Sequence, residues 1–337
     1  MGPGFESLRG HSKILFPHSV FMSNKEEGLV IKSTGSLYLV RSQDARIVAC
    51  KLRGKFRVKG IKTTNPVTVG DIVTFEQDNR QNYGIITDIG TRKNYICRKS
   101  INLSKISHII ASNIDVAFLI ISMVEPRTPL GFIDRFLVAA ESFRIKTILI
   151  FNKIDLYNSK IQEACQKWQD LYNRVGYEFI TTSAVTEQGM DILKQKMQGQ
   201  VSLFSGQSGV GKSSIINVLE PNLQLKTAHV SDYNSKGKHT TTFAEMFELS
   251  FGGFIIDTPG IKEFGLIQYK KEEVSHYFPE MLQLLDQCKF SNCTHTHEPE
   301  CAVKQALEGG KIASTRYQNY LNIIQNEDIE LKDWMLE

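Results

Sequence analysis

One short segment, residues 206–214, constrains the fold of this 337-residue chain more than any other. It matches the pattern G-x-x-x-x-G-K-[ST], follows the apolar run 201–204 and precedes the helix-like run 215–219. Its glycines let the backbone curl so that N–H groups and the positive end of the next helix face a phosphate. We therefore predict a phosphate-binding loop (P-loop) rather than a glycine-rich turn that binds nothing. Its residues are Gly206, Gln207, Ser208, Gly209, Val210, Gly211, Lys212, Ser213 and Ser214, with Lys212 on the outer phosphates and the Ser213 hydroxyl on Mg²⁺.

Length and composition restrict the class of protein. A chain of 337 residues is too long for one ordinary core, so we expect two or three domains. Hydrophobic residues make up 41% of the chain and charged residues 23%, which is typical of a globular protein. No apolar run approaches the roughly 20 residues of a membrane span, so we expect a cytoplasmic protein. The net charge of +4 is only mildly basic, and nucleic-acid binding has to be argued from local clusters.

The first 21 residues have no periodicity and no signal-peptide apolar core. We expect a disordered extension, or an upstream start, at residues 1–21. Cys50, Cys97 and Cys165 are scattered along the chain, which indicates reduced thiols rather than a disulfide framework.

Residues 22–100 are predicted to form an all-β barrel, with an OB-fold as the leading candidate. Short β-rich runs recur between turn signals at 28–31, 37–40, 47–50, 71–75 and 84–89. A basic residue then occupies every second position of the next segment: Lys51, Arg53, Lys55, Arg57 and Lys59. An extended strand would place these side chains on one face, where they could bind an RNA backbone.

The alternative for this basic stripe is a solvated edge strand that its charges protect from aggregation. A second basic cluster favours RNA binding, because two clusters in one small domain are less readily explained by chance. It comprises Arg92, Lys93, Arg98 and Lys99.

Residues 101–265 are predicted to form an α/β nucleotide-binding domain. The run 114–122 is almost continuously apolar, as in a strand buried on both faces, and an amphipathic helix and a second buried strand, 147–151, follow it. This alternation predicts a parallel sheet with crossover helices.

The second buried strand ends in Asn152, Lys153, Ile154 and Asp155, which have the N-K-x-D spacing of a guanine-recognition motif. A carboxylate can accept from both the ring N1–H and the exocyclic amine of guanine, a pair that adenine does not present, and this argues against a kinase or an ATPase. One helix and one strand later, Ser183 and Ala184 lie in a small-residue loop whose Ala184 N–H could donate to the guanine carbonyl.

The segment after the P-loop contains two further candidate elements. The hydroxyl of Thr240 or Thr241 is a plausible Mg²⁺ ligand in a polar segment that could order over a γ-phosphate. The sequence 257–260 has the D-x-x-G pattern, in which Asp257 would hold Mg²⁺ through water and the Gly260 N–H would contact the γ-phosphate. In isolation this would be an ordinary turn. The guanine motif precedes the P-loop here, the reverse of the common order, which indicates a circularly permuted domain.

Residues 266–337 are predicted to form a mostly α-helical zinc-binding domain. Cys288, Cys293 and Cys301 flank one of two candidate histidines, His295 or His297, and the pattern with His295 is C-x₄-C-x-H-x₅-C. Three thiolates and one imidazole form the closed tetrahedral set of a structural zinc site.

An OB-like barrel, a permuted GTPase and this cysteine–histidine motif together resemble the bacterial ribosome small subunit-dependent GTPase A family over residues 26–325. The resemblance includes 53–57 and 238–242. It selects His295 as the fourth zinc ligand. It also implies hydrolysis of GTP stimulated by the small ribosomal subunit, binding to that subunit's RNA, and a role in its late maturation. We expect a monomer without a membrane partner.

Ile261 occupies the position after the D-x-x-G glycine, where Ras-like enzymes have the glutamine that orients water, and the resembled family shares this hydrophobic replacement. We therefore assign the water-orienting role to His239, beside the candidate catalytic residues Thr240, Thr241 and Lys212. The alternative for His239 is contact with RNA or solvent. The alternative for the protein is a nucleotide-gated RNA-binding assembly factor in which hydrolysis is incidental.

Overall fold

The computed structural model describes residues 25–53, 66–77, 82–99, 107–224, 244–257 and 270–325. A β-barrel, an α/β domain and a helical region follow one another along the chain. The predicted fold class is confirmed. Among the described helices, none is long and apolar enough to span a bilayer.

In the part of the barrel that the structure describes, five strands point alternate side chains into one core. The strands are β1 (Lys25–Ser33), β2 (Tyr38–Ser42), β3 (Ile47–Leu52), β4 (Ile72–Gln77) and β5 (Gly84–Ile89). They pair in the order β1-β2-β3-β5-β4, and β4 pairs again with β1, so the sheet closes on itself. The β3–β5 pairing is parallel and the other four are antiparallel, which makes this a five-stranded Greek-key barrel of the OB type.

A hairpin connects the barrel to the α/β domain. Its strands are β6 (Tyr95–Lys99) and β7 (Ser107–Ser112), which pair antiparallel. Ile96 and Ala111 are fully buried and belong to the core of the α/β domain. The domain boundary predicted at residue 100 lies between these two strands.

The described residues of the α/β domain form five parallel strands and one antiparallel strand in the order β10-β9-β8-β11-β13-β12. The strands are β8 (Val116–Ser122), β9 (Lys146–Asn152), β10 (Glu178–Thr181), β11 (Val201–Ser205), β12 (Glu245–Glu248) and β13 (Phe254–Asp257). The helices are α1 (Leu130–Ser142), α2 (Ser159–Arg174), α3 (Met190–Met197) and α4 (Lys212–Leu219).

Helices cover both faces of this sheet, which explains the continuous apolar run of β8. Ala117, Leu119 and Ile121 pack in the core formed with α1 and α2. The alternate residues Phe118 and Ile120 pack on the opposite face with α3 and α4. All residues of β8 are therefore buried, as expected for a central parallel strand.

Between residues 270 and 325, the described part of the C-terminal region, there are four α-helices, α5 (Lys271–Val274), α6 (Pro279–Leu282), α7 (Ala302–Glu308) and α8 (Ser314–Gln325). Its core includes Phe278, Val303 and Tyr320, together with Val138 of α1. The region therefore packs against the first helix of the α/β domain.

The barrel and the α/β domain share one sheet of eleven strands, because β1 pairs antiparallel with β12 at Lys32 and Glu245. Two ion pairs accompany this junction. Lys32 Nζ lies 2.9 Å from a Glu245 carboxylate oxygen, and Arg41 of β2 lies 2.6 Å from Glu248. No motif in the sequence predicts this connection.

Candidate functional site

The predicted P-loop connects β11 to α4, at the carboxyl end of the parallel sheet. Gly206, Gly209 and Gly211 all have positive φ angles, 147°, 83° and 100°, and the buried Val210 anchors the loop. Nζ of Lys212 donates to the carbonyl oxygens of Gly206 and Gln207 at 2.6 Å each. The Lys212 ammonium thus lies over the P-loop, where an outer phosphate can replace the two carbonyl oxygens as its partner.

The P-loop contacts the guanine motif through Asn152, at the end of β9. Asn152 Nδ2 donates to the carbonyl of Val210 at 2.8 Å. A Cβ atom on Gly211 would lie 2.3 Å from the same nitrogen, so only glycine permits this approach. The amide oxygen of Asn152 accepts from the Thr182 hydroxyl at 3.1 Å, and both residues are buried. One amide therefore joins the P-loop, β9 and the loop after β10.

A hydrogen bond connects Ser183 to Asp155 of the guanine motif. The Ser183 hydroxyl donates to Asp155 Oδ1 at 2.5 Å and accepts from the backbone N–H of Thr186 at 3.1 Å. Asp155 is exposed while Ser183 is buried, and Ala184 is partly exposed beside them. The hydrogen bond from Ser183 thus orients the Asp155 carboxylate, whose remaining lone pairs are available for the two N–H groups that guanine presents.

Lys153 adopts the left-handed conformation, with φ of 65°, and turns the chain sharply after Asn152. Its Nζ donates to the carbonyl of Glu125 at 2.7 Å, and partial burial lowers its pKa. Ile154 follows in a short 3₁₀ turn that ends at Leu156. The four residues of the motif therefore form one compact loop, residues 152–155, which we call the guanine loop.

The remaining predicted nucleotide contacts are described only in part. Asp257 is the last residue of β13, and β13 pairs in parallel with β11, so its backbone lies at the same sheet edge as the P-loop. Ser208 is exposed, and Ser213 and Ser214 lie partly exposed in the first turn of α4. His239, Thr240, Thr241 and Gly260 lie outside the described residues.

The cysteine–histidine motif forms a compact group. Ligand atoms of Cys288, Cys293, His295 and Cys301 all lie within 4.8 Å of one another. Nδ1 of His295 lies 3.7 Å from the sulfur of Cys288 and 3.4 Å from that of Cys301. A tetrahedral zinc ion with ordinary bond lengths separates its nitrogen and sulfur ligands by about 3.6 Å, so the donor set fits zinc in type and spacing. His297 is exposed and donates no atom to the group.

The loop that carries these side chains is held by hydrogen bonds that α8 donates and by others that the Glu298 carboxylate accepts. Tyr317 donates to the carbonyl of His295 at 2.6 Å, and Tyr320 donates to that of Thr294 at 2.5 Å. The Glu298 carboxylate accepts from the backbone N–H of Thr294 at 2.7 Å. Burial raises the pKa of Cys293 to about 12, so binding of a divalent cation has to displace the proton of this thiol.

The predicted RNA-binding stripe begins at the end of β3. The ammonium of Lys51 lies 4.1 Å from the ring centroid of Tyr83, and both Lys51 and Arg53 are exposed. Lys55, Arg57 and Lys59 lie outside the described residues. In the second basic cluster, Arg92 does not face solvent but forms a buried ion pair with Asp71 at 2.6 Å.

Sequence reasoning missed a buried ion network between α1 and the C-terminal helices. Arg316 of α8 donates to Asp134 Oδ1 at 2.7 Å and to both oxygens of Glu280 at 2.7 and 2.9 Å. Asn319 and Tyr172 also donate to Asp134, at 2.6 and 2.9 Å. Asp134 interrupts the apolar stripe of α1. A buried acidic side chain requires a polar or charged partner, so this residue was the one signal in the sequence that could have indicated the network.

Comparisons with known proteins agree with this architecture. Residues 89–267 match the family model described as RsgA GTPase, and residues 27–86 match the RsgA N-terminal domain. A Flavobacterium psychrophilum protein named small ribosomal subunit biogenesis GTPase RsgA is 52% identical over 303 residues, which cover 89% of this chain and 93% of that protein. A Bacteroides fragilis protein of the same name is 47% identical, covering 90% and 97%.

This chain belongs to the RsgA GTPase family. The solved structure of YjeQ from Thermotoga maritima is similar with a TM-score of 0.74 and 33% identity, covering 90% of this chain and 98% of that one. YloQ, described as a circularly permuted GTPase, has a TM-score of 0.72 and 28% identity, covering 91% and 96%. The predicted family, enzyme class and circular permutation are confirmed. As an RsgA GTPase, the protein takes GTP as substrate and uses Mg²⁺.

Proposed function

We propose that this GTPase acts in late maturation of the small ribosomal subunit, binds the RNA of that subunit and is stimulated by it. The observation that carries the proposal is the 52% identity, over most of both chains, to a relative named small ribosomal subunit biogenesis GTPase. The direct hydrogen bond between the guanine loop and the P-loop supports the nucleotide half of the proposal. The protein acts as a monomer in the cytoplasm, without a membrane partner.

GTP binding follows from the residues around the two loops. Asp155 accepts from the ring N1–H and the exocyclic amine of guanine, Ser183 orients that carboxylate, and the Ala184 N–H donates to the base carbonyl. The stem of Lys153 packs on the base. The backbone N–H groups of 206–214 and the Lys212 ammonium bind the phosphates. Ser213 and Asp257, with Thr240 or Thr241, would hold Mg²⁺, which supplies positive charge at the β- and γ-phosphates.

Hydrolysis needs a group that orients the attacking water, because Ile261 after Gly260 has no polar atom for this role. We assign the role to His239, whose imidazole can accept or donate a proton near neutral pH. In this proposal Thr240 or Thr241 contacts Mg²⁺, and the neighbouring imidazole of His239 then lies close to the γ-phosphate.

The barrel supplies the RNA contact in this proposal. Lys51 and Arg53 are exposed at the start of the basic stripe, and Lys55, Arg57 and Lys59 continue it in the sequence. The nearby ring of Tyr83 adds a surface on which a base can stack. The contact is electrostatic, so subunit binding is expected to weaken as salt increases.

GTP turnover, measured as phosphate release during titration with purified small ribosomal subunits, tests the function. We expect a saturable rise of at least about tenfold, because in this proposal the bound subunit helps to position the catalytic groups around the γ-phosphate. The large subunit serves as the control. His239→Ala should bind GTP normally but lose most of the stimulation, and unchanged turnover would remove His239 from the mechanism. Absence of any stimulation would favour the alternative, a nucleotide-gated RNA-binding assembly factor in which hydrolysis is incidental.

Zinc content tests the metal site that we propose at Cys288, Cys293, His295 and Cys301. The purified protein is expected to carry one zinc ion per chain. His295→Ala should lose it on dialysis against a mild chelator, because three ligands leave the tetrahedral set open. His297→Ala is the matched control and should retain the metal. Equal zinc content in the two variants would contradict the assignment of His295.

A further inference from the structure

Tyr157 lies two residues after the guanine loop, and its hydroxyl bridges two backbone segments. It donates to the carbonyl oxygen of Asn152 at 2.9 Å and accepts from the backbone N–H of Met123 at 3.2 Å. Both hydrogen-bonding roles of the phenol are thus engaged. The ring is 7% exposed and packs in the core between the sheet and helices α1 and α2.

The bridge lies where two central strands separate. Ser122 and Asn152 are the last paired residues of β8 and β9. The strand pairing ends at this pair, and the chain after β9 adopts the left-handed conformation at Lys153. The hydroxyl of Tyr157 spans the gap and links the next backbone groups on each side. It therefore connects Asn152, the first residue of the guanine loop, to Met123, the residue that follows β8.

The segment on the other side of this bridge also contacts the P-loop. Residues 123–126 follow β8, and the Glu125 carbonyl accepts from Nζ of Lys153 at 2.7 Å. A Cβ atom on Gly209 would lie 3.2 Å from the ring of Pro126. The guanine loop is thus held at two points, through Tyr157 and Lys153, to a segment that lies against the P-loop.

We propose that Tyr157 is a positioning residue for guanine recognition. Its hydroxyl fixes the backbone that carries Asn152, Lys153 and Asp155, so nucleotide affinity depends on an oxygen that does not touch the nucleotide. Hydrogen bonds to the base require the Asp155 carboxylate to be held in place before binding, and a loose loop has to be ordered at the cost of affinity. The inference rests on the proposed role of Asp155.

The test is nucleotide binding by full-length Tyr157→Phe, measured with a fluorescent GDP analogue and with GTP in competition. The phenyl ring keeps its packing, whereas the two bridged backbone groups lose their partner. We expect a fivefold to tenfold increase in Kd for both nucleotides. KM for GTP should rise in parallel, with kcat at saturating GTP within twofold of the unmodified enzyme, because the lost interaction affects binding rather than the chemical step.

Tyr172→Phe is the matched control. Tyr172 is a fully buried tyrosine on α2 whose hydroxyl donates to Asp134 at 2.9 Å, away from both loops. This variant should lose stability like Tyr157→Phe but bind GDP normally. Equal Kd values for the two variants, or a fall in kcat with KM unchanged, would overturn the proposal. Should Tyr157→Phe fold poorly, binding is measured below its melting temperature, and a Kd within twofold of normal there also overturns it.

Asp155→Asn, measured in parallel, separates this inference from the function on which it rests. If Asp155→Asn weakens GDP binding and Tyr157→Phe does not, only the positioning role fails. If neither variant changes Kd, the guanine assignment fails and the inference fails with it.

Discussion

Asp155→Asn is expected to weaken GTP binding by about 100-fold, or about 2.7 kcal/mol. In the proposed site, the substitution replaces an acceptor of two guanine N–H groups with an amide, which can turn only its oxygen toward one of them. The amide nitrogen then opposes the other donor. Xanthosine triphosphate carries a carbonyl in place of the exocyclic amine, so the variant should bind it better than the unmodified protein does. Equilibrium titration with both nucleotides measures this exchange of preference.

Asp170→Asn is the matched control for this experiment. Asp170 is an exposed residue on α2 and pairs with Gln166 on the same helix. The substitution removes the same charge from the same domain without approaching either loop. Unchanged GTP affinity in Asp155→Asn, or an equal loss in both variants, would refute the assignment of Asp155 to guanine.

Arg316→Met is expected to destabilise the protein by about 3–5 kcal/mol, which is the usual cost of removing one partner from a buried ion pair. Arg316 is 1% exposed, and its loss leaves the carboxylates of Asp134 and Glu280 without their cation. Burial opposes the charge on Arg316, but the two carboxylates outweigh it and hold its pKa well above the ordinary value. Urea unfolding, followed by intrinsic fluorescence, measures the loss.

Two further variants distinguish the network from a general effect of losing an arginine. Arg174→Met changes an exposed residue at the end of α2 and should leave the unfolding midpoint nearly unchanged. Combining Arg316→Met with Asp134→Asn and Glu280→Gln removes both stranded charges and should recover part of the lost stability. A loss below about 1 kcal/mol in Arg316→Met would show that the buried network contributes little.

The sequence predicts the parts of this molecule that local chemistry determines. The P-loop at 206–214, the guanine motif at 152–155 and the cysteine–histidine group each consist of residues close together in the chain, with the spacing that their proposed ligands require. The strands of the barrel and the central strands of the α/β domain were predictable for a similar reason, because side chains alternate with a period of two and central strands are continuously apolar. The edge strand β12 was not predicted.

Contacts between distant segments were not predictable in the same way. Arg316 lies in a polar stretch that looks like an exposed helix, and its partner Asp134 is 182 positions away. Tyr157 follows the guanine motif closely, but nothing in the sequence indicates that its hydroxyl reaches Met123, 34 positions earlier. The hydrogen bond from Asn152 to Val210 depends on which strands are neighbours in the sheet. The motifs alone do not give this strand order, which follows only from the family resemblance.

The junction between β1 and β12 also affects how the protein avoids unwanted association. An uncovered edge strand offers unpaired backbone groups to other chains and promotes aggregation. The barrel occupies the β12 end of the central sheet, and being closed it adds no new edge. At the opposite end, β10 has only four residues and carries Glu178, which is paired with Lys146 and Lys196. The proposed RNA-binding domain thus occupies the β12 edge at Lys32 and Glu245, where a second chain could otherwise add a strand.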